Sequence, residues 1–247
     1  HAASESGADY AKIQSIHSSE LTHRKRFDEG LIEGGKVKTI KRDYKSEYER
    51  LKKLDLEESD HIKFIDFCKK YNIKPLTTVF SLGKVEMVNK LFKEVKISSF
   101  DCASHRLIEE MSKKDFEHMI VSTGATFNRE IEKTCKILTK AKKKFTLLHC
   151  VSIYPTKTNN TNLRTIKWLK KKYNFLTGYS DHTKSNLPII LSIASGACII
   201  EKHFTFDMKR KGFDHKISYD EKKFKEMINI IRESEQALGS EEKILSK

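Results

Sequence analysis

The stretch Gly178-Tyr179-Ser180-Asp181-His182-Thr183, followed by Glu201-Lys202-His203-Phe204-Thr205, decides how this chain is read. Each segment closes an apolar, strand-like run, 176–180 before the first and 197–200 before the second. Side chains alternate along a strand with a period of two, so Ser180 and His182 share one face, as do Glu201 and His203. Residues 186–195 between them form an apolar helical stretch ended by Gly196. A strand–helix–strand crossover makes its two strands parallel neighbours. A single strand-end histidine is usually a hydrogen-bonded structural residue. Two at the ends of adjacent parallel strands can reach one divalent cation.

Working outward, the same unit recurs. Strands are expected over 10–16, 74–80, 95–100, 119–122 and 145–151, and helices over 84–92, 106–112, 128–140, 162–173 and 221–238. Helices are also expected over 44–54 and 57–71, the second with Ile62, Ile65 and Cys68 along one stripe and Phe64 and Phe67 widening it. The polar stretch through Lys41 is too long for an ordinary βα loop. Repeated βα units mean a parallel sheet, either doubly wound or closed. No GxGxxG follows the first strand, which weakens the dinucleotide-fold option. Polar residues at the C-terminal ends of the strands instead fit an α/β (β/α)₈ TIM barrel. Only seven strands are counted, and the opening His1-Ala2-Ala3-Ser4 reads like the end of a helix cut open. The expectation is one catalytic barrel domain over 1–247 that lacks its first strand.

A chain of 247 residues can bury one sizeable core. It contains no run of about 18 apolar residues and no signal-peptide pattern. The five cysteines are scattered, odd in number and without a CxxC pair, as expected of reduced thiols in a cytoplasmic protein, most of them small buried hydrophobes. The net charge of +14 comes mostly from Lys interleaved with Glu and Asp, with runs at 41–53 and 140–144. That pattern fits solvated helix faces, or attraction of an anionic substrate, better than a nucleic-acid or membrane partner.

The strand ends supply the chemistry. Lys12 and Gln14 share a face of the first strand; Thr77-Thr78 end the second; the third carries Lys96 and Ser98-Ser99. Ser122-Thr123-Gly124 close the fourth, and the fifth runs from His149 to Ser152 and on to Tyr154-Pro155-Thr156. Two lysines and several hydroxyls at one barrel mouth suit a phosphate or carboxylate. Any one Ser or Thr is equally well a strand-end cap, but an inward lysine is costly to bury unpaired. His182 and His203 suit Zn²⁺, Mn²⁺ or Fe²⁺, and two protein ligands leave room for water or substrate in a Lewis-acid site. Glu201 can orient such a ligand, accept from a sugar hydroxyl, or pair with a lysine.

Together with Val121-Ser122-Thr123-Gly124, Leu148-His149-Cys150-Val151-Ser152-Ile153-Tyr154-Pro155-Thr156 and Asp214-His215-Lys216, the two opening segments resemble the sialic acid synthase family. The resemblance runs in order from Ala8 to about Leu238. It implies a barrel that condenses phosphoenolpyruvate with an N-acylated amino-sugar aldehyde such as N-acetylmannosamine, giving a nine-carbon α-keto acid and phosphate. Carried over, His182 and His203 match Mn²⁺ ligands. Lys12, Thr78, Lys96, Ser99, Ser122 and Ser180 match the phosphoenolpyruvate-binding set, Gln14, Tyr154 and Asp214 match sugar contacts, and Glu201 and Lys96 are the expected catalytic residues. The family also implies a homodimer.

This sequence departs from the family pattern in several places. The family's first-strand Glu-Ile-Gly-x-Asn-His-type segment and its C-terminal antifreeze-like domain, which lends an Arg to the partner's sugar site, do not occur in these 247 residues. Val79 and Phe213 stand where proline is common, and Ser152 where some members have Asn. The chain alone is therefore expected to pack loosely and to be inactive. Two other readings compete. A phosphoenolpyruvate-dependent aldolase of 3-deoxy sugar acid synthesis would need an extra basic cluster for a phosphorylated acceptor. A non-catalytic basic binding protein would need interleaved Arg and aromatic residues.

Overall fold

The computed structural model describes residues 1–20, 28–39, 44–212 and 214–240. Phe213, and the start of the lysine run at Lys41, fall outside the described residues. A short helix, α1 (Ala2–Glu5), leads into β1 (Tyr10–Ser15). Next come β2 (Leu31–Glu33) and β3 (Lys36–Thr39), then α2 (Tyr44–Leu51) and α3 (Glu58–Lys70). Strands and helices then alternate: β4 (Lys74–Val79), α4 (Val85–Leu91), β5 (Glu94–Ile97), α5 (His105–Ser112), β6 (His118–Ser122), α6 (Asn128–Lys140), β7 (Phe145–Cys150) and α7 (Arg164–Tyr173). The last units are β8 (Leu176–Asp181), α8 (Leu187–Ala194), β9 (Ile200–Lys202) and α9 (Glu221–Leu238).

Seven strands form one parallel sheet in the order β1-β4-β5-β6-β7-β8-β9. In a flat sheet β1 and β9 would lie about 29 Å apart, six spacings of 4.8 Å. Instead Lys12 Nζ on β1 is 3.5 Å from Glu201 Oε1 on β9. The sheet curls into a barrel wall, as the recurring βα units implied. Among the described residues β1 and β9 stand at the two ends of the strand order, without a ladder between them. Outside them α9 packs against α1, and Arg232 bonds Asp9 at 2.8 Å.

Helices cover the outside of the wall. Val79, Val95, Ile97, Met119, Val121 and Leu147 meet Val88, Phe92, Ile108, Met111, Leu138 and Leu169 in one buried cluster. A second cluster joins Ile189 and Ile193 of α8 to Phe224, Met227 and Ile231 of α9. Every residue of β7 is buried, as a strand covered on both faces must be. Inside the barrel Leu76, Ile120 and Leu148 form a thin apolar layer. Four cysteines are buried and Cys198 is exposed, and all five are free thiols.

Three details differ from the sequence expectations. The long polar segment after β1 holds an antiparallel hairpin, β2–β3, turned by Gly34 and Gly35. Both have positive φ, 57° and 72°, which a type I′ turn requires and glycine supplies without strain. On α3 the buried stripe is rotated: Ile62 and Phe67 are 44% and 56% exposed, while His61 and Cys68 are buried. The polar His61 was passed over as a core residue, yet its Nε2 lies 2.7 Å from Ser15 Oγ and its Nδ1 2.8 Å from the Glu57 carbonyl. Finally, β5 stops at Ile97 rather than residue 100, because Ser98 and Asp101 close a turn on each other, Ser98 Oγ donating to Asp101 Oδ2 at 2.8 Å.

Candidate active site at the barrel mouth

Alternation along the strands sorts their polar residues into two sets. Thr77 turns outward, 2.7 Å from Ser15 Oγ, while Thr78 accepts from Lys12 Nζ inside at 3.2 Å. Ser98 serves its own turn, while Ser99 Oγ lies 2.8 Å from Ser152 Oγ. Thr123 donates to the Leu148 carbonyl, and His149 faces the Thr161 carbonyl at 2.6 Å, stacked against Tyr179. Thr77, Ser98, Thr123 and His149 are therefore structural. Ser180 lies 3.5 Å from His182 Nε2 and supports the Glu201 carboxylate.

Two lysines meet on one carboxylate at the centre. Glu201 Oε1 is 3.5 Å from Lys12 Nζ, and Oε2 is 3.3 Å from Lys96 Nζ. Burial pushes the Glu201 carboxyl up, but Lys96 and Lys12 outweigh it and hold it well below the usual carboxylate range. Burial lowers the Lys12 ammonium, with Glu201 partly offsetting it. Of the alternatives for Glu201, the structure therefore shows the lysine pair. Two ammonium groups thus share one carboxylate, with Asp214 a more distant counter-charge of Lys12. Ser122 Oγ is buried beside them without a hydrogen-bond partner. Two ammonium groups and an orphaned hydroxyl suit an incoming anion. A cavity of about 730 Å³ runs along the interior, lined by Lys12, Lys96, Glu201 and His203 toward the mouth and by Tyr10 and Glu94 at the other end, with Gln14 and Asp214 also on its wall.

His182 and His203 come together as the strand register requires, with ring centroids 5.5 Å apart. His182 Nδ1 donates to the Val151 carbonyl at 2.8 Å, which leaves the Nε2 lone pair for a ligand. Burial, then the charge of His203, lowers the His182 pKa to about 4. Burial likewise lowers His203, opposed by Asp214, whose Oδ2 is 3.9 Å from His203 Nδ1. Neutral imidazoles are the form that binds a metal, and in His182 the other nitrogen is already fixed. The donor set fits a divalent cation that keeps water or substrate ligands. Among the described residues no group of three or more His, Cys, Asp or Glu side chains could hold a metal. Tyr154 completes the wall, its ring 4.4 Å from His182 and 6.3 Å from His203.

Two neighbourhoods at the site escaped the sequence reading. Cys150 is buried as expected, and it sits among Lys96, Glu201, Ser99 and Gly124, its thiol pushed up by burial. A Cβ on Gly124 would come within 2.5 Å of Cys150 Sγ and 2.6 Å of Ser152 Oγ, so glycine is what lets β6 approach β7. The other is a buried ion pair, Lys202 with Asp181 at 2.6 Å, both side chains 0% exposed. Its signal was present: opposite charges at paired positions, each just before a histidine.

A curled parallel wall with two lysines and paired imidazoles at the strand C-termini defines a βα-barrel protein with a polar pocket at its mouth. The NeuB family model matches residues 1–243, and the chain belongs to that family. It is 34% identical over 249 residues to the N,N'-diacetyllegionaminic acid synthase of Campylobacter jejuni, covering 99% of this chain and 73% of that protein. It is 37% identical over 240 residues to an uncharacterized protein of Methanocaldococcus jannaschii, covering 96% of this chain and 65% of that protein. The chain thus spans about two thirds to three quarters of the length of these curated relatives. The crystal structure of the N-acetylneuraminic acid (sialic acid) synthetase of Leptospira borgpetersenii in complex with citrate superposes with a TM-score of 0.85 at 30% identity, covering 99% of this chain and 79% of that one. No helix among the described residues is long and apolar enough to cross a membrane.

Proposed function

We propose that this protein is the catalytic barrel of a sugar acid synthase that condenses phosphoenolpyruvate with an N-acylated amino-sugar aldehyde. The products are a nine-carbon α-keto acid and phosphate. The observation that carries this reading is the meeting of Lys12 and Lys96 on Glu201, in the cavity that His203 also lines. Family membership and the names of the relatives point the same way.

Lys12 and Lys96 would hold the phosphate and carboxylate of phosphoenolpyruvate, with hydroxyls from Thr78, Ser99, Ser122 and Ser180 completing the shell. Gln14, Tyr154 and Asp214 would take the sugar. A divalent cation on His182 and His203, Mn²⁺ in our reading, would supply Lewis-acid polarisation of the aldehyde oxygen. Carbon 3 of phosphoenolpyruvate then bonds to the aldehyde carbon, and that oxygen takes up a proton. Water adds at carbon 2 and loses one proton, balancing the one taken up by the aldehyde oxygen, and as the C–O bond to phosphate breaks the remaining hydroxyl proton passes to the departing phosphate, leaving the keto acid. Glu201, anionic between two lysines, is placed to keep both ammonium groups on the reacting phosphate and to hold a proton only transiently. We place the reaction in the cytoplasm and the active assembly in a homodimer.

The test is phosphate release by the complete gene product with Mn²⁺, phosphoenolpyruvate and a panel of 2-acetamido sugars. Release that depends on one sugar, with the ¹⁸O of a labelled bridging oxygen leaving in phosphate, is expected. Sugar-independent release, or a requirement for a phosphorylated sugar without an N-acyl group, would sink this reading. The second outcome would favour the 3-deoxy sugar acid alternative.

A further inference from the structure

We infer that the buried Asp181–Lys202 pair is a positioning clamp that sets the separation and direction of the His182 and His203 imidazoles for a divalent cation; this rests on the metal reading above. The register pairs Ser180 with Glu201 and Asp181 with Lys202, so the two histidines follow directly at the next step. Alternation turns Ser180, His182, Glu201 and His203 toward the mouth, and Asp181 and Lys202 away from it.

The outward pair is fully bonded. Asp181 Oδ1 accepts from Tyr179 O–H at 3.0 Å and from the Thr183 N–H at 3.1 Å. Oδ2 accepts from Thr183 Oγ1 at 3.2 Å and from Lys202 Nζ at 2.6 Å. Lys202 Nζ also donates to the Thr183 carbonyl at 2.5 Å and lies 4.3 Å from the Tyr219 ring centroid. Tyr219 N–H in turn donates to the His203 carbonyl at 2.9 Å. Asp181 and Thr183 therefore bracket His182 on one strand, while Lys202 and Tyr219 hold His203 from both sides on the other. Lys202 is the side chain that joins the two brackets.

A role confined to stability explains this poorly. Two charges withdrawn from water cost several kcal/mol each, and apolar replacements of similar volume are often neutral or stabilising. What an apolar pair lacks is a fixed direction. Partners that bond the ring of a metal-binding histidine typically carry about 10- to 100-fold in affinity, and Asp181 and Lys202, which act one step further out through the backbone, fall at the lower end.

The experiment measures Mn²⁺ binding to the complete gene product by electron paramagnetic resonance titration, with thermal melts alongside. In Asp181→Asn/Lys202→Met, Asn keeps the bonds to Tyr179 and Thr183, and Met fills the lysine stem, so the link is cut without stranding a charge. The expected result is a cooperative melt with Mn²⁺ Kd weakened by about tenfold or more. In Asp181→Asn/Lys202→Gln an amide–amide hydrogen bond restores the link, and Kd should return to within about threefold of wild type. A Met variant binding as tightly as wild type overturns the clamp. A Gln variant as weak as His203→Ala does so too, even if the Met variant fails to fold. Wild-type protein that binds no Mn²⁺ overturns both the clamp and the metal reading. Binding that is lost in His182→Ala yet unchanged in the Met variant removes the clamp alone.

Discussion

The two ends of the barrel interior are built on the same strands and are similarly buried, yet they differ in how far their polar groups are satisfied. At the N-terminal end, Tyr10, Glu94 and His118 each open a strand. Tyr10 O–H lies 2.9 and 3.0 Å from the two Glu94 oxygens, and His118 joins Glu94 at 3.5 Å and Thr146 Oγ1 at 2.9 Å. Two residues further along β1 and β5, Lys12 and Lys96 share the single carboxylate of Glu201, and Ser122 Oγ has no partner. Polarity alone does not mark a site. Charged groups that share one partner, and unmet hydrogen bonds, do, because they gain most from a ligand.

Removing the imidazoles should break the contrast most completely. His182→Ala and His203→Ala are each expected to weaken Mn²⁺ binding by about 100-fold or more while the protein still melts cooperatively, since each removes one of the two proposed protein ligands. Isothermal titration with Mn²⁺ checks this. Either variant binding like wild type would move the metal elsewhere.

Next in size, Lys96→Ala should lower kcat/KM for phosphoenolpyruvate by about 10²- to 10³-fold, and raise its KM more than that of the sugar. Glu94→Gln, at the opposite end of the same interior, should leave both KM values unchanged. Steady-state kinetics on the pair tests the asymmetry directly. Equal effects would show that the polar residues at both ends serve only the fold.

Acid should destabilise the metal-free protein by a comparable amount. His182 has a pKa of about 4 when folded, against an ordinary value near 6.5 when unfolded. Between those values the unfolded chain binds a proton that the folded one does not. Stability is thus lost as pH falls through that window, by about 3 kcal/mol from this residue. Glu201 works in a lower window: its depressed carboxyl stabilises above the ordinary carboxylate pKa and loses that contribution as pH falls further. Urea unfolding of His182→Gln should show a flatter pH dependence from pH 6.5 to 4 and an unchanged one below. A parallel slope would remove His182 from the account.

Much of this was legible in the sequence, because period-two alternation and βα recurrence are local signals. They identified the seven sheet strands, most of the helices flanking them, and His182, His203, Lys12 and Lys96 as residues that converge. They did not separate inward from outward hydroxyls where two stand side by side. Thr77-Thr78 and Ser98-Ser99 were sorted only by strand register and by the turn at Asp101. The buried histidine of α3 was missed because a polar residue joins a core only when a partner waits there, and Ser15 lies 46 positions away.

The smallest expected effect lies at the satisfied end. Tyr10→Phe removes one hydroxyl from Glu94 and leaves the aromatic ring in place. Burial, reinforced by Glu94, raises the phenol to a pKa of about 12, so it remains a donor throughout the physiological range. Losing a hydrogen bond to a charged acceptor costs about 1–3 kcal/mol when the acceptor is left without compensation. Here His118 also approaches the carboxylate, and the side chain is 22% exposed, so the lower figure of about 1 kcal/mol applies. For a domain of this size that lowers the melting midpoint by about 2–4 °C. Mn²⁺ affinity and both KM values should be unchanged, because nothing at this end carries an unmet charge. A Tyr10→Phe protein with normal stability but altered KM for phosphoenolpyruvate would reverse the comparison, placing a working group where the hydrogen bonds already close on themselves.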